Sequence, residues 1–125
     1  MDTIGSKHSV FLISFNYCEI TCCHLDGYKN NREALLSRLS LIESFFKPNS
    51  RHRVWYNIDD SELSDKVIEQ VTQSISRVQS NIVKLAFIGA GRGKRKLKKI
   101  LNDTIASSIP IGYFEDAELA KEWLR

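Results

Sequence analysis

The sequence predicts a single α/β domain with a mixed sheet of about five strands and about four helices packed on it. Short runs of β-branched, aromatic and apolar residues alternate with longer segments whose apolar residues recur every three or four positions. The first two runs are adjacent, and each later run is separated from the next by a helical segment. Strand–helix–strand alternation implies parallel neighbours joined by right-handed crossovers, so we expect an antiparallel hairpin only at the N-terminal end of the sheet.

The hairpin comes first along the chain. Residues 9–15 (SVFLISF) and 18–25 (CEITCCHL) have strand composition, and Asn16 and Tyr17 lie between them. Asn31 is placed to cap the first helix. The apolar residues of that helix recur at helical spacing and are Leu35, Leu36, Leu39, Ile42, Phe45 and Phe46.

A strand and an amphipathic helix follow. Residues 53–58 (RVWYNI) form the third strand, in which Trp55 is predicted to face away from Val54, Tyr56 and Ile58. Ser64 is expected to open and cap a helix that extends to about Val78. Its apolar stripe consists of Val67, Ile68, Val71, Ile75 and Val78.

The C-terminal part contains two further strands and two further helices. Residues 83–89 (VKLAFIG) are the most apolar run, which is typical of a strand at the sheet centre with both faces covered. Residues 109–114 (IPIGYF) form the last strand, and Pro110 favours an edge position. Asp116 precedes a short closing helix. Between the two strands lies a helix with an inner face formed by Leu97, Ile100, Leu101 and Ile105.

Composition indicates an ordinary globular chain. Its 125 residues, of which 42% are hydrophobic, suffice for one core, so we expect one domain over residues 9–125 after a flexible segment at 1–8. No window approaches the ~18 apolar residues of a membrane span. Residues 1–8 lack the pattern of a secretory signal, and we therefore expect a cytoplasmic location.

The positive charge of the chain is local. The formal net charge is +3, but six of the 18 basic residues fall between Arg92 and Lys99. The remaining 12 basic residues face 15 acidic residues, which is a balance of −3. A basic patch, rather than a generally basic protein, is what calls for a functional explanation.

That patch follows a glycine-rich turn between a strand and a helix. Such a turn at the carboxyl end of a strand offers free backbone N–H groups and the positive end of a helix dipole, both of which attract anions. Cations at the start of the helix oppose the same dipole, and an anionic ligand or an acidic partner would offset this cost. The candidate anion-binding or partner-binding residues are Gly89, Gly91, Arg92, Gly93, Lys94 and Arg95.

Other interpretations of the turn differ in their chemistry. A solvated helix face beside a flexible turn needs no ligand. A nucleotide-binding Walker loop is excluded, because only three residues separate Gly89 from Gly93-Lys94 and Arg95 replaces the hydroxyl that would hold magnesium. Nucleic-acid binding ranks below a protein or small anion, because the sequence contains no groove-reading motif and places no aromatic platform beside the cations.

The remaining polar residues do not predict a metal site or a catalytic group. Cys22 and His24 should point to one side of their strand and Cys23 to the other, so they cannot converge on zinc, and we expect reduced, packed thiols. His8 and His52 lie in polar segments without an evident partner. The acidic run Asp59, Asp60, Glu62 and Asp65 is best explained as a helix-capping segment. No metal, no cofactor and no enzymatic activity are expected.

The C-terminal half resembles a known family. An apolar strand ending at Ile88-Gly89, a lysine-rich helix, the strand IPIGYF and the ending FEDAELAKEWL resemble the SpoIIAA-like branch of the STAS domains. This resemblance implies a small α/β fold without catalytic chemistry, used for regulated protein contacts and sometimes for ligand binding. Phosphoregulated STAS proteins carry an Asp-Ser-Ser-Gly motif after the third strand, where this chain has DDSELSD. Ser61 and Ser64 are the candidate sites of regulatory phosphorylation.

Two functions remain open at this point. The first is a regulatory or adaptor module that binds a protein partner or an anionic ligand through the third-strand loop, the helix that follows it and the turn from Gly89 to Lys99. The second is a carrier of a small molecule or lipid, with a pocket between sheet and helices that presents anions to Arg92 and Lys94. The sequence does not decide between a monomer and a homodimer.

Overall fold

The computed structural model describes residues 10–25, 32–58, 64–89, 93–105 and 108–125. The strands are β1 (Val10–Phe15), β2 (Cys18–His24), β3 (His52–Asn57), β4 (Ile82–Ile88) and β5 (Ile111–Phe114). The helices are α1 (Arg32–Phe45), α2 (Asp65–Val78), α3 (Lys94–Thr104) and α4 (Ala117–Leu124), and a 3-10 turn, Gln79–Asn81, leads into β4. Residues 1–8 and the predicted cap Asn31 lie outside the described residues.

The sheet has the order β1-β2-β3-β4-β5, with β1 antiparallel to β2 and the other neighbours parallel. The predicted α/β class, mixed five-stranded sheet and four helices are therefore confirmed. One detail is corrected, because β3 rather than β4 occupies the middle of the sheet. β4 is nevertheless an interior strand with both faces covered, since Phe87 packs in one core cluster and Ala86 in the other.

The two faces of the sheet are covered unequally. Because β2 to β5 follow one another in space, right-handed crossovers place all three connecting helices on the same face. That face carries the larger core, which includes residues of α1, α2 and α3, while α4 covers the opposite face. Trp55 packs on the α4 side and Tyr56 on the other, as the alternation of the strand predicts.

Local sequence accounts for the starts of two helices. The side chain of Ser64 accepts a hydrogen bond from Val67 N at 3.3 Å and caps α2. Asp116 does the same for α4, accepting from Leu119 N at 2.9 Å. Both caps satisfy amide groups that a helix leaves without internal partners. Within the described ranges, none of the helices is long and apolar enough to cross a membrane.

Helix α4 is fixed to the sheet mainly through Trp123. The ammonium of Lys84 donates to the Trp123 carbonyl at 2.7 Å and lies 4.9 Å from the centre of the indole ring. The Phe114 ring packs against the same indole at 5.4 Å. Leu124 and Ala120 of the same helix are fully buried. Side chains from β4 and β5 thus hold the C-terminal turn of α4.

Gly112 of β5 makes room for this packing, and we expect Gly112→Ala to lower the free energy of unfolding by about 1 kcal/mol. A Cβ at this position would lie 2.7 Å from Cε2 of Phe114 and 3.2 Å from Cε2 of Trp123. The cost should be modest because ring edges, and not backbone, must shift. Urea denaturation measures the loss, and Phe114→Leu should reduce it in a double-mutant cycle. Equal losses in both backgrounds would show that the Phe114 ring is not the obstacle.

Candidate anion-binding site

The parallel strands all end at one edge of the sheet, which we call the carboxyl edge. The chain leaves β2, β3 and β4 there and returns through α1, α2 and α3. Ser64 and Gly93, which directly precede α2 and α3, therefore lie at the carboxyl edge. Ligands of open α/β sheets bind outside this end of the strands. The fold thus brings the described site candidates of the two segments to the same side of the molecule.

The two described glycines of the turn have different roles. Gly89 and Gly93 have φ angles of 113° and 85°, which explains why glycine is used at both positions. The N–H of Gly89 donates to the Phe114 carbonyl at 2.9 Å, so it is not free for an anion, contrary to the expectation for this turn. Gly93 is the N-cap of α3 and supplies no side-chain hydrogen bond to the helix. Gly91 and Arg92 lie outside the described residues.

Helix α3 begins with three consecutive cations and has no acidic residue in its first turn. Lys96 forms an ion pair with Asp65, the first residue of α2. No acidic side chain in the described ranges pairs with Lys94 or Arg95. Arg95 is exposed and Lys94 is half-buried. The start of α3 therefore combines an uncapped helix end with two uncompensated positive charges, which together favour an anion.

An aromatic residue lies beside one of the later cations, which the linear sequence does not reveal. The ammonium of Lys98 lies 5.6 Å from the centre of the Tyr113 ring. Tyr113 stacks on Phe87 at 5.5 Å, and Phe87 stacks on Tyr56 at 5.7 Å, so the ring belongs to a row across β3, β4 and β5. Burial raises the pKa of Tyr113 to about 12, and the residue stays neutral beneath Lys98. The Tyr113 ring is thus part of the core packing.

The candidate phosphorylation sites are only partly described. Ser64 is exposed, and its hydroxyl oxygen is engaged in capping α2. Its neighbour Asp65 pairs with Lys96, so the start of α2 lies beside the basic start of α3. Ser61 and the acidic residues Asp59, Asp60 and Glu62 lie outside the described residues. Modification of Ser61 or Ser64 stays a prediction.

His52 has partners that its sequence neighbourhood did not indicate. Its Nδ1 lies 2.8 Å from the Thr21 hydroxyl and its Nε2 lies 3.0 Å from the Ser50 hydroxyl. Because the Ser50 hydroxyl donates its proton to the Lys47 carbonyl, it accepts from Nε2–H, and Nδ1 then accepts from Thr21. Burial lowers the pKa of His52, which favours this neutral form. His52 thus orders the turn between α1 and β3.

Cys22 and Cys23 are packing residues, as the sequence predicts, whereas Cys18 is only partly buried. Cys22 lies in the core on the α4 side and Cys23 in the core on the other side, and neither forms a disulfide. Burial raises the pKa of Cys22 to about 12 and raises that of Cys23 well above its usual value. Both therefore remain unreactive thiols near neutral pH. The part of the chain that the structure describes contains no cluster of three potential metal ligands.

A small apolar cavity of about 180 Å³ lies between β1 and α1. It is lined by Val10, Leu41, Ser44 and Phe45. Its volume is below the roughly 300 Å³ at which pockets for drug-sized ligands begin. No residue of α3 lines it, so it is not the pocket beside Lys94 that the carrier hypothesis requires.

The fold and the carboxyl edge define the chain as an α/β domain whose third helix starts with unbalanced positive charge. Comparisons with protein-family models, with curated proteins and with solved structures found no match. The resemblance to SpoIIAA-like STAS domains therefore stays a prediction.

Proposed function

We propose that this chain is a non-catalytic regulatory or adaptor module of STAS-like type that works in the cytoplasm. It binds an acidic surface of a protein partner, or a small anion, at the start of α3. The observation that carries the proposal is the pair of half-buried Lys94 and exposed Arg95 at a helix start that lacks both a side-chain cap and an acidic residue in its first turn.

Helices α2 and α4 provide the comparison. The starts of α2 and α4 each have a side-chain cap and an acidic residue in the first turn. Either feature offsets the partial positive charge that peptide dipoles place at a helix start. At α3 the cations add to that charge, and Asp65 is engaged with Lys96. An external anionic group is therefore the natural counterpart of Lys94 and Arg95.

The first test concerns stability without any ligand. The double variant Lys94→Glu/Arg95→Glu should raise the free energy of unfolding by about 0.3 to 1 kcal/mol per substitution, because acids favour a helix start. The control Lys47→Glu/Arg51→Glu makes the same charge change at two exposed residues between α1 and β3, at the opposite edge. It should give no such gain. Urea denaturation compares the three proteins, and a less stable double variant at α3 would contradict the electrostatic argument.

The second test concerns binding. Affinity capture from the protein's own cell extract, combined with native mass spectrometry, should recover a protein or small anion at about 0.1 M salt. The interaction should weaken at about 1 M salt, because the Debye length falls from about 10 Å to about 3 Å. Lys94→Glu/Arg95→Glu should lose the bound species, and Lys47→Glu/Arg51→Glu should keep it. Equal capture by both variants would refute the site, and recovery of nucleic acid alone would replace the proposed partner class.

A further inference from the structure

Strand β1 is an edge of the sheet, and none of the described strands pairs with its free side. It pairs with β2 on one side, without a bulge, and its sequence VFLISF contains no charged residue and no proline. Charges, prolines, bulges and very short strands are the features by which natural edges avoid pairing with other chains. The opposite edge, β5, has only four residues and follows Pro110. β5 therefore has features that disfavour pairing with another chain, and β1 does not.

The turn of the hairpin determines which backbone groups of β1 point outward. Asn16 and Tyr17 both have positive φ angles, of 50° and 66°, which identifies a two-residue type I′ turn. In such a hairpin the flanking pair Phe15–Cys18 exchanges both hydrogen bonds, and bonded pairs then alternate along the ladder. The residues whose N–H and C=O groups point to the free side are Val10, Leu12 and Ser14. Among the described residues, no backbone group outside the hairpin bonds to them.

Where β1 meets α1, the exposed surface is largely apolar. Leu12 is 45% exposed and Leu41 of α1 is 40% exposed, although both are large aliphatic residues. Between β1 and α1 lies the cavity lined by Val10, Leu41, Ser44 and Phe45. None of these side chains carries a charge, in a protein of which 26% is charged. The backbone edge and the apolar surface thus form one continuous patch, the β1 edge patch.

We propose that a second copy of this chain occupies the β1 edge patch, through antiparallel pairing of β1 with itself about a twofold axis at Leu12. In this register Leu12 pairs with Leu12 of the second copy and Val10 with Ser14 of the second copy. All outward backbone groups of the strand then find partners. A twofold axis brings each side chain close to its own counterpart, so any charge would meet a like charge. Because β1 and the lining of the cavity contain no charged residue, no like charges of these residues meet in the pairing, and the two sheets join into one.

The test is sedimentation velocity over about 1 to 300 µM, a range that brackets micromolar association. The wild-type protein should change from the mass of one chain to twice that mass as concentration rises. Leu12→Lys should weaken dimerisation at least tenfold, because two ammonium groups would meet at the axis. Ser14→Lys is the second variant, at another exposed position of the same strand. Both should retain the circular dichroism and melting temperature of the wild-type monomer.

Leu119→Lys is the matched control, since Leu119 is also an exposed leucine, at 56%, and lies on the other face of the sheet. It should dimerise like the wild type. The dimer should also persist at about 1 M salt, unlike binding at the start of α3, because backbone pairing and apolar contacts are not screened. A monomeric wild type at 300 µM, an intact Leu12→Lys dimer, an equal effect of Leu119→Lys or assemblies larger than two chains would each overturn the proposal.

Discussion

Replacement of Leu124 by alanine is expected to lower the free energy of unfolding by about 2 to 5 kcal/mol. Leu124 is fully buried in the last turn of α4, which covers its face of the sheet without another described helix. Removing its side chain leaves a cavity in the cluster that contains Trp55 and Ala86, which no second described helix can close. Loss of anchoring should also expose Trp55, so its fluorescence should shift towards that of a solvated indole before global unfolding.

The control for this prediction lies on the same helix. Leu119 is 56% exposed, and Leu119→Ala should change stability by less than about 0.5 kcal/mol. Both variants replace leucine by alanine in the same helix, so the change in helix propensity is the same. The difference between their free energies of unfolding therefore reports the effect of burial. Urea denaturation measures the free energy of unfolding of each variant, with one shared slope against urea concentration for all of them. Similar losses for Leu124→Ala and Leu119→Ala would mean that α4 is not anchored as described.

Glu43→Ala is expected to have the second largest effect and to lower the free energy of unfolding by about 1 to 3 kcal/mol. The Glu43 carboxylate accepts hydrogen bonds from Nε and Nη2 of Arg77, both at 2.8 Å, and from the hydroxyl of Ser74 at 2.6 Å. Arg77 is about half exposed, so the ion pair itself contributes modestly. Ser74 is fully buried, and the variant would leave its hydroxyl without this acceptor. This buried hydroxyl accounts for most of the expected loss.

The effect of Glu43→Ala should depend on pH. The hydrogen bond from Arg77 is the main cause that lowers the pKa of Glu43 below its usual value of 4.5. A carboxyl group with a lowered pKa in the folded state stabilises it above the usual value, and this contribution is lost as the pH falls through the lowered pKa. The difference in the free energy of unfolding between wild type and variant should therefore be largest near pH 7 and should decrease below pH 4.5.

Glu69→Ala serves as the matched control, because Glu69 is exposed on α2 and, among the described residues, receives a single long hydrogen bond of 3.5 Å from Gln73. Glu69→Ala should lower the free energy of unfolding by no more than about 0.5 kcal/mol, and this change should not depend on pH in the same way. A difference between wild type and Glu43→Ala that does not change from pH 7 to pH 3 would contradict the role of the ionised carboxylate.

The elements of this fold are encoded locally. The alternation of β3 assigns Trp55 and Tyr56 to opposite faces of the sheet, and the apolar stripe of α2 defines the buried side of that helix, so these orientations follow from periodicity alone. Ser64 and Asp116 act on amides three residues ahead, and a capping sequence is therefore sufficient to place both helix starts. The opposite directions of Cys22 and Cys23 follow from the period of two in a strand.

The positive charge of the candidate site was predictable from the sequence, but the contacts that its residues make were not. The run of cations after β4 and its opposition to the helix dipole are properties of consecutive residues. The use of the Gly89 N–H by Phe114 depends on β4 pairing with β5, and the pairing of Lys96 with Asp65 depends on α2 lying beside α3. Neither contact has a signal in the sequence, because residues 25 and 31 positions apart meet only after the chain has folded.

The sequence by itself therefore determined the order of strands and helices, their buried faces, two helix caps and a local basic patch, since each depends on residues within a few positions of one another. Tertiary structure alone decided that α4 covers its face without another described helix, that Glu43 joins Ser74 and Arg77, and that β1, a strand without charged residues, is an edge to which no other described strand than β2 pairs. These features depend on distances between elements, and such distances are set by the packing of the whole sheet and its helices.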